Sequence, residues 1–231
     1  MIVYLSPHLD DAALSNGGCI RLMKEICAKF ILINIFTKSI WTSDDMQTLD
    51  ETTVSNIRRL EDMEYCKELC LKSFYMGMKD SSLRGYDAIS EVVRQLVRDN
   101  FYLEVRKQLL NLLNTLTYDY IFVPLGLGGH IDHLIVFDIL TKTNQKNNVI
   151  YYEDIPYALN YTKENIADIV LLKGLHNYVK LDVTIQGLFD LKIKDILKYK
   201  SQIEEGLLDK ITEYTYGHNS FQAIERLWVS S

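Results

Sequence analysis

Ile2-Val3-Tyr4-Leu5, an apolar run at the start of the chain, leads almost directly into His8-Leu9-Asp10-Asp11. The run reads as a short buried strand, and the tetrad sets an imidazole and two carboxylates at its end. Open α/β sheets bind ligands outside the carboxyl ends of their strands, where the backbone is rigid enough to gather side chains. A second group of the same kind lies far along the chain. There Ile121-Phe122-Val123-Pro124-Leu125 runs through the turn Gly126-Leu127-Gly128-Gly129 to His130-Ile131-Asp132-His133. Two strand-end His/Asp clusters predict one bipartite metal site.

Outward from these two points the pattern alternates. Met1 to Ser6, Phe30 to Thr37, Ser73 to Met76, Tyr118 to Leu125, Asn148 to Tyr152 and Leu227 to Val229 read as strands. Helical spacing covers Asp11 to Lys29, Glu51 to Leu71, Ile89 to Leu116 (broken near Asn100), Asp132 to Thr141 and Ile185 to Glu205. In the second helix, Val54, Ile57, Leu60, Met63 and Cys66 are expected to form the buried face. Strands alternating with helices imply right-handed βαβ units. The expected fold is α/β and Rossmann-like, a mostly parallel sheet with helices on both faces and the metal site at the strand carboxyl ends. No linker or low-complexity tract divides the chain, so residues 1–231 are expected to form a single domain.

The net charge of −6, with no Lys/Arg-rich run, argues against nucleic-acid binding. The longest apolar stretches, such as Phe30 to Phe36, are too short for a transmembrane segment. The N-terminus lacks a basic region and begins at once with a strand, so no secretory signal is expected. Cys19, Cys27, Cys66 and Cys70 fall on predicted helices and read as core thiols in a reduced, cytoplasmic protein. Of the 15 tyrosines, Tyr151, Tyr152, Tyr157 and Tyr161 cluster after a predicted strand. Their faces suit sugar rings, although such residues more commonly build a core or a homo-oligomer interface.

A neutral imidazole and an ionised carboxylate are good ligands for Zn²⁺, which in catalytic sites takes three protein ligands and keeps a position for water. His8, Asp11 and one histidine of the second cluster would complete that set, with His133 the better placed; Fe²⁺ would also suit these donors. A metal lowers the pKa of bound water from 15.7 toward roughly 7. Asp10, not needed as a ligand, is then the expected general base. His130 is expected to act as a general acid or oxyanion partner, with Asp132 fixing its tautomer. Each cluster alone could merely cap a helix or satisfy a loop. Their pairing at two strand ends is what a bipartite site requires.

Ser6-Pro7-His8-Leu9-Asp10-Asp11-Ala12 and Gly129-His130-Ile131-Asp132-His133 resemble the two signatures of the PIG-L/LmbE-like zinc-dependent N-deacetylases. Arg58-Arg59-Leu60-Glu61-Asp62, Tyr151 to Tyr157 and Glu225-Arg226-Leu227-Trp228 are similar to further recurring segments. The resemblance implies His8, Asp11 and His133 as metal ligands, Asp10 as base and a protonated His130 holding the oxyanion. It also implies removal of an acetyl group from a small-molecule amino sugar, an N-acetylglucosamine-like unit on a glycoside, glycolipid or natural product. Arg58, Arg84 and Glu153 are the expected contacts to sugar hydroxyls or an attached anionic group. For Arg58, the competing reading is a surface pair with Glu61 or Asp62. Two departures stand out: Ala12 where many members carry Glu, and Gly128 where some carry a Tyr that assists the oxyanion. A hydratase or lyase on the same fold would need Arg58, Arg59 and Arg84 near the metal for an acidic substrate. A nucleotide-binding module is the remaining alternative, but the Gly126–Gly129 turn lacks G-x-G-x-x-G spacing.

Overall fold

The sheet grows from β1 (Ile2–Ser6), which is hydrogen-bonded on one side to β2 (Phe30–Lys38) and on the other to β4 (Tyr120–Pro124). Val3, Tyr4 and Leu5 are fully buried, as the continuous apolar run of a central parallel strand requires. The computed structural model describes residues 1–26, 29–43, 49–86, 100–143, 148–217 and 221–231. Among these, β3 (Lys72–Lys79), β5 (Asn148–Tyr152), β6 (Tyr178–Thr184) and β7 (Ile224–Ser230) complete a seven-stranded sheet of order β3-β2-β1-β4-β5-β7-β6. The strands from β3 to β5 pair in parallel, and β7 runs antiparallel to both β5 and β6. The strand order reverses between β1 and β4, the place where an open sheet splays its loops apart.

Alternation along the strands divides the core into two layers. Val3, Leu5, Ile33, Ile35, Ile121 and Val123 face one side, where they meet α3 (Tyr102–Asn114), α4 (Ile131–Lys142) and α5 (Lys163–Leu172). Tyr4, Leu32, Phe122 and Tyr152 face the other, against α1 (Asp11–Ile26), α2 (Glu51–Glu68) and α6 (Phe189–Ile196). Among the described residues the last helix is α7 (Leu207–Tyr216). Burying each such side chain contributes about 1.5–3 kcal/mol. The expected doubly covered, mostly parallel sheet is therefore the observed one. No helix among the described residues is long and apolar enough to cross a membrane.

Four expectations change. The helix expected over 185–205 is α6 alone, followed by a short 3-10 turn at Lys200–Gln202 before α7 begins. Of the pattern expected over 89–116, residues 87–99 lie outside the described residues and α3 accounts for the rest. The buried face of α2 is Val54, Arg58, Asp62, Tyr65 and Cys66, while Leu60 and Met63 are exposed. Val54 and Cys66 are buried as expected, but polar groups recruited by the interior, Arg58 and Asp62, take the rest of that face in place of Leu60 and Met63. Cys19 and Cys66 are buried free thiols, whereas Cys70 is exposed beyond the end of α2, and Cys27 lies outside the described residues.

Candidate metal centre

The end of β1 turns through Ser6 and Pro7 so that His8 sits over the sheet and Asp11 begins α1. Asp11 Oδ2 accepts the backbone N–H of His8 at 2.7 Å, which folds the tetrad back on itself. The end of β4 needs a sharper turn. Gly126 and Gly128 take positive φ values of 67° and 69°, a conformation open to glycine at little cost, and they deliver His130 to the N-terminus of α4. His133, one turn into that helix, is fully buried and faces His8.

Three atoms converge. Asp11 Oδ2 lies 3.4 Å from His8 Nδ1 and 3.3 Å from His133 Nε2, and the two nitrogens are 3.3 Å apart. The opposite ring nitrogens are committed as donors: His8 Nε2 to Asp132 Oδ2 at 2.9 Å, and His133 Nδ1 to Asp154 Oδ1 at 2.6 Å. In the neutral form that a metal ion requires of both rings, the inward atoms are then lone pairs, and the third partner is a carboxylate oxygen. Three acceptors facing one another are satisfied only by a cation. A tetrahedral Zn²⁺ with ligands about 2.0–2.1 Å away holds its ligand atoms roughly 3.3–3.4 Å apart, so this donor set fits such an ion. Carboxylates behind both imidazoles are the usual support for metal-binding histidines. With His8 and His133, His130 forms a group of three histidines that each bring one ring nitrogen within 4.8 Å of the others.

The electrostatics agree. Burial works against a charged imidazole at His8, but hydrogen bonds and charge from Asp11 and Asp132 outweigh it and raise its pKa to about 9. At His133 burial is likewise outweighed, here by Asp11 and Asp154, and the pKa rises to about 10. Burial would raise Asp11, yet the two histidines hold it well below the usual carboxylate range. A cluster that attracts protons this strongly attracts a dication for the same reason.

Asp10 points elsewhere. Arg58 Nη2 donates to its Oδ1 at 3.3 Å, and burial raises its pKa despite that guanidinium. His130 Nδ1 accepts the backbone N–H of Asp132 at 3.2 Å, which leaves the ring proton on Nε2. Burial pushes the His130 pKa well below its usual value, so the ring is neutral rather than the expected imidazolium. The Asp132 carboxylate does not orient His130 as expected. It accepts from His8 Nε2 and from Ser81 N at 3.0 Å, and it pairs with Arg84 Nη1 at 2.7 Å. The start of α4 aims the backbone of Asp132 at His130 and its side chain across to β1.

The expected sugar contacts are also redirected. Arg58 is 4% exposed, its guanidinium held between Asp10, Ser39 Oγ (2.9 Å) and Asp80 (3.7 Å), and it makes no surface pair with Glu61 or Asp62. Arg84 is turned inward to Asp132. Glu153 is 4% exposed and accepts from the Tyr214 hydroxyl and from Trp228 Nε1. Neighbours at a strand end point to opposite sides, and it is the next residue, Asp154, that reaches His133. Tyr157, one of the four clustered tyrosines whose faces suit sugar rings, stands beside the histidines, its ring 5.1 Å from that of His133 and 5.4 Å from that of His130. A signal for Asp154 was present, a second carboxylate directly behind β5, but nothing in the sequence chose between the pair.

The family model described as PIG-L: GlcNAc-PI de-N-acetylase matches residues 3–144, a span that holds both halves of the cluster. The chain is 27% identical over 206 residues to the 2'-N-acetylparomamine deacetylase of Streptomyces fradiae, covering 87% of this chain and 73% of that one. Among solved structures, it is similar to a deacetylase of teicoplanin biosynthesis, with a TM-score of 0.77 at 18% identity over 100% of this chain and 97% of the other. It is also similar to the N,N'-diacetylchitobiose deacetylase of Pyrococcus horikoshii, with a TM-score of 0.69 at 19% identity over 99% and 82% of the two chains. At these identities the structural likeness establishes the fold.

Proposed function

The chain belongs to the PIG-L family, and from that premise we propose that it is a metal-dependent hydrolase that removes an N-acetyl group from an amino-sugar substrate. The observation that carries this reading is the triangle of His8 Nδ1, Asp11 Oδ2 and His133 Nε2, with sides of 3.3–3.4 Å, set beside a carboxylate that is not part of it. His8, Asp11 and His133 would hold Zn²⁺, or Fe²⁺ in its place. A cation there supplies Lewis-acid polarisation of the acetamide carbonyl and a more acidic water.

The remaining work falls to this chain's own side chains. Asp10, its pKa raised by burial, takes the proton of the attacking water, and Arg58 keeps its carboxylate aimed. His130 offers its neutral Nε2–H to the carbonyl oxygen as negative charge develops there. Asp132 and Asp154 hold the two ligand imidazoles in the tautomers that leave their lone pairs inward. The proton held by Asp10 then passes to the nitrogen as the C–N bond breaks, releasing acetate and the free amine. A neutral sugar suits this site better than an acidic substrate, because Arg58 and Arg84 already face carboxylates and Arg59 lies over the Tyr75 ring. Two named relatives that act on acetylated amino sugars, the paromamine and chitobiose enzymes, support the same substrate class. Residues 1–231 act in this reading as one domain.

Acetate release from a panel of N-acetylated amino sugars, with and without added Zn²⁺, tests the proposal. Release that depends on metal is the expected result. A metal-loaded protein inert toward the whole panel would count against it.

A further inference from the structure

Gly128 leaves a space that another side chain has taken. A Cβ at Gly128 would stand 2.8 Å from Cβ and 3.0 Å from Cδ1 of Tyr157, so the ring of Tyr157 lies where a side chain at position 128 would have to go. Tyr157 begins the short 3-10 turn after β5, and that turn is tied to the cluster. The backbone N–H of Ala158 donates to the Asp154 carbonyl at 2.7 Å, while the Asp154 carboxylate holds His133. The ring stands edge-on to His133 at 79° and tilted 42° to His130, with centroids 5.1 and 5.4 Å away. It is half-buried, and no hydrogen bond of its hydroxyl is formed with a described residue.

We infer that Tyr157 is a catalytic residue of this chain, its hydroxyl donating a hydrogen bond to the acetamide oxygen as that atom becomes an oxyanion. The inference rests on the deacetylase reading above. In the step concerned, the water oxygen bonds to the carbonyl carbon, its proton goes to Asp10, and the C=O π pair moves onto oxygen. Collapse returns that pair, breaks the C–N bond and sends the proton to nitrogen. Tyr157 keeps its own proton throughout and offers a donor only where charge develops. His130 and Tyr157 would thus supply two neutral donors from different loops, one from the Gly126–Gly129 turn and one from the segment after β5.

Tyr157→Phe retains the ring that fills the space above Gly128 and removes only the hydroxyl. The variant should bind one metal ion per chain and keep the wild-type KM, while kcat falls on the order of 10²-fold. Calorimetry with the methylphosphonamide of glucosamine, whose tetrahedral phosphoryl oxygen mimics the oxyanion, gives a readout apart from turnover. Its affinity should fall by a factor similar to the fall in kcat, with the affinity for glucosamine unchanged. Variant kcat and phosphonamide affinity within twofold of wild type would overturn the inference. So would equal losses for phosphonamide and glucosamine, which would place Tyr157 in ground-state binding. A wild-type protein that neither hydrolyses any substrate nor binds the phosphonamide would instead overturn the deacetylase reading, and the role of Tyr157 with it.

Discussion

Two buried polar clusters touch helix α1, one at its start and one at its middle, and they resolve their charges differently. At the middle, α1 breaks at Asn16 (φ −134°, ψ 29°), and the freed N–H groups of Gly18 and Cys19 donate to the Glu225 carboxylate at 3.0 and 2.7 Å. Lys192 Nζ sits 2.7 Å from the same carboxylate and 3.4 Å from the Ser15 carbonyl. One cation meets one anion, and donors face acceptors. At the start of the helix, His8, Asp11 and His133 instead turn three acceptors toward one point, with further carboxylates behind them. Burial of charge is common to both clusters. What separates a ligand site from a structural cluster is a convergence that the protein itself leaves unmatched.

Substitutions in each cluster test that contrast. Asp10→Asn should give the largest effect, a loss in kcat of about 10²–10⁴-fold with the metal retained. Elemental analysis beside steady-state kinetics checks it, and loss of metal would make Asp10 a ligand. Lys192→Met leaves the buried Glu225 carboxylate without its cation and should cost about 3–5 kcal/mol in urea unfolding, with metal content and kcat unchanged. A change below about 1 kcal/mol there would mean that the ion pair is not what holds the broken helix. Arg84→Met acts on the metal centre indirectly, by freeing Asp132 and so loosening His8. Metal affinity should fall about 10- to 100-fold, read by competition with a chelating dye, and an unchanged affinity would detach Arg84 from the site.

A third buried carboxylate sharpens the comparison through pH. Asp62 accepts from Asn34, Tyr75 and Tyr199, yet burial raises its pKa from 3.8 to about 6. The folded chain therefore holds the Asp62 proton more tightly than the unfolded chain does. Its contribution to stability falls as pH rises from about 4 to about 6 and is constant above that. Relative to Asp62→Asn, which cannot titrate, wild type should lose about 2 kcal/mol between pH 4 and pH 7. A difference that stays flat across this range would show that Asp62 is ionised in the fold throughout.

The sequence carried the parts of the molecule set by local pattern. The runs at Ile2 to Leu5 and Ile121 to Leu125 are apolar because both sheet faces are covered, and the His/Asp groups behind them mark the strand ends. Tyr178–Thr184 went unseen as a strand because it is the exposed edge β6, with Lys180 and Asp182 alternating with Val179, Leu181 and Val183. The partner choices were hidden for a different reason. Whether Glu153 or Asp154 reaches His133 depends on which face each residue leaves the strand on, and a one-residue shift reverses it. Arg58, Arg84 and Asp132 read as outward or local groups, since the carboxylates and imidazole they meet lie 48, 48 and 124 positions away. Tyr157 is a long-range relation too, visible only once the Gly126–Gly129 turn and the segment after β5 are brought together.

Metal stoichiometry in wild type and His133→Ala, after chelator treatment and reconstitution with Zn²⁺, tests the central claim most directly. One tightly held ion is expected per wild-type chain and none in the variant, because the triangle of acceptors then has two members. A wild-type chain that stays metal-free, or a variant that holds the ion as tightly as wild type, would contradict it.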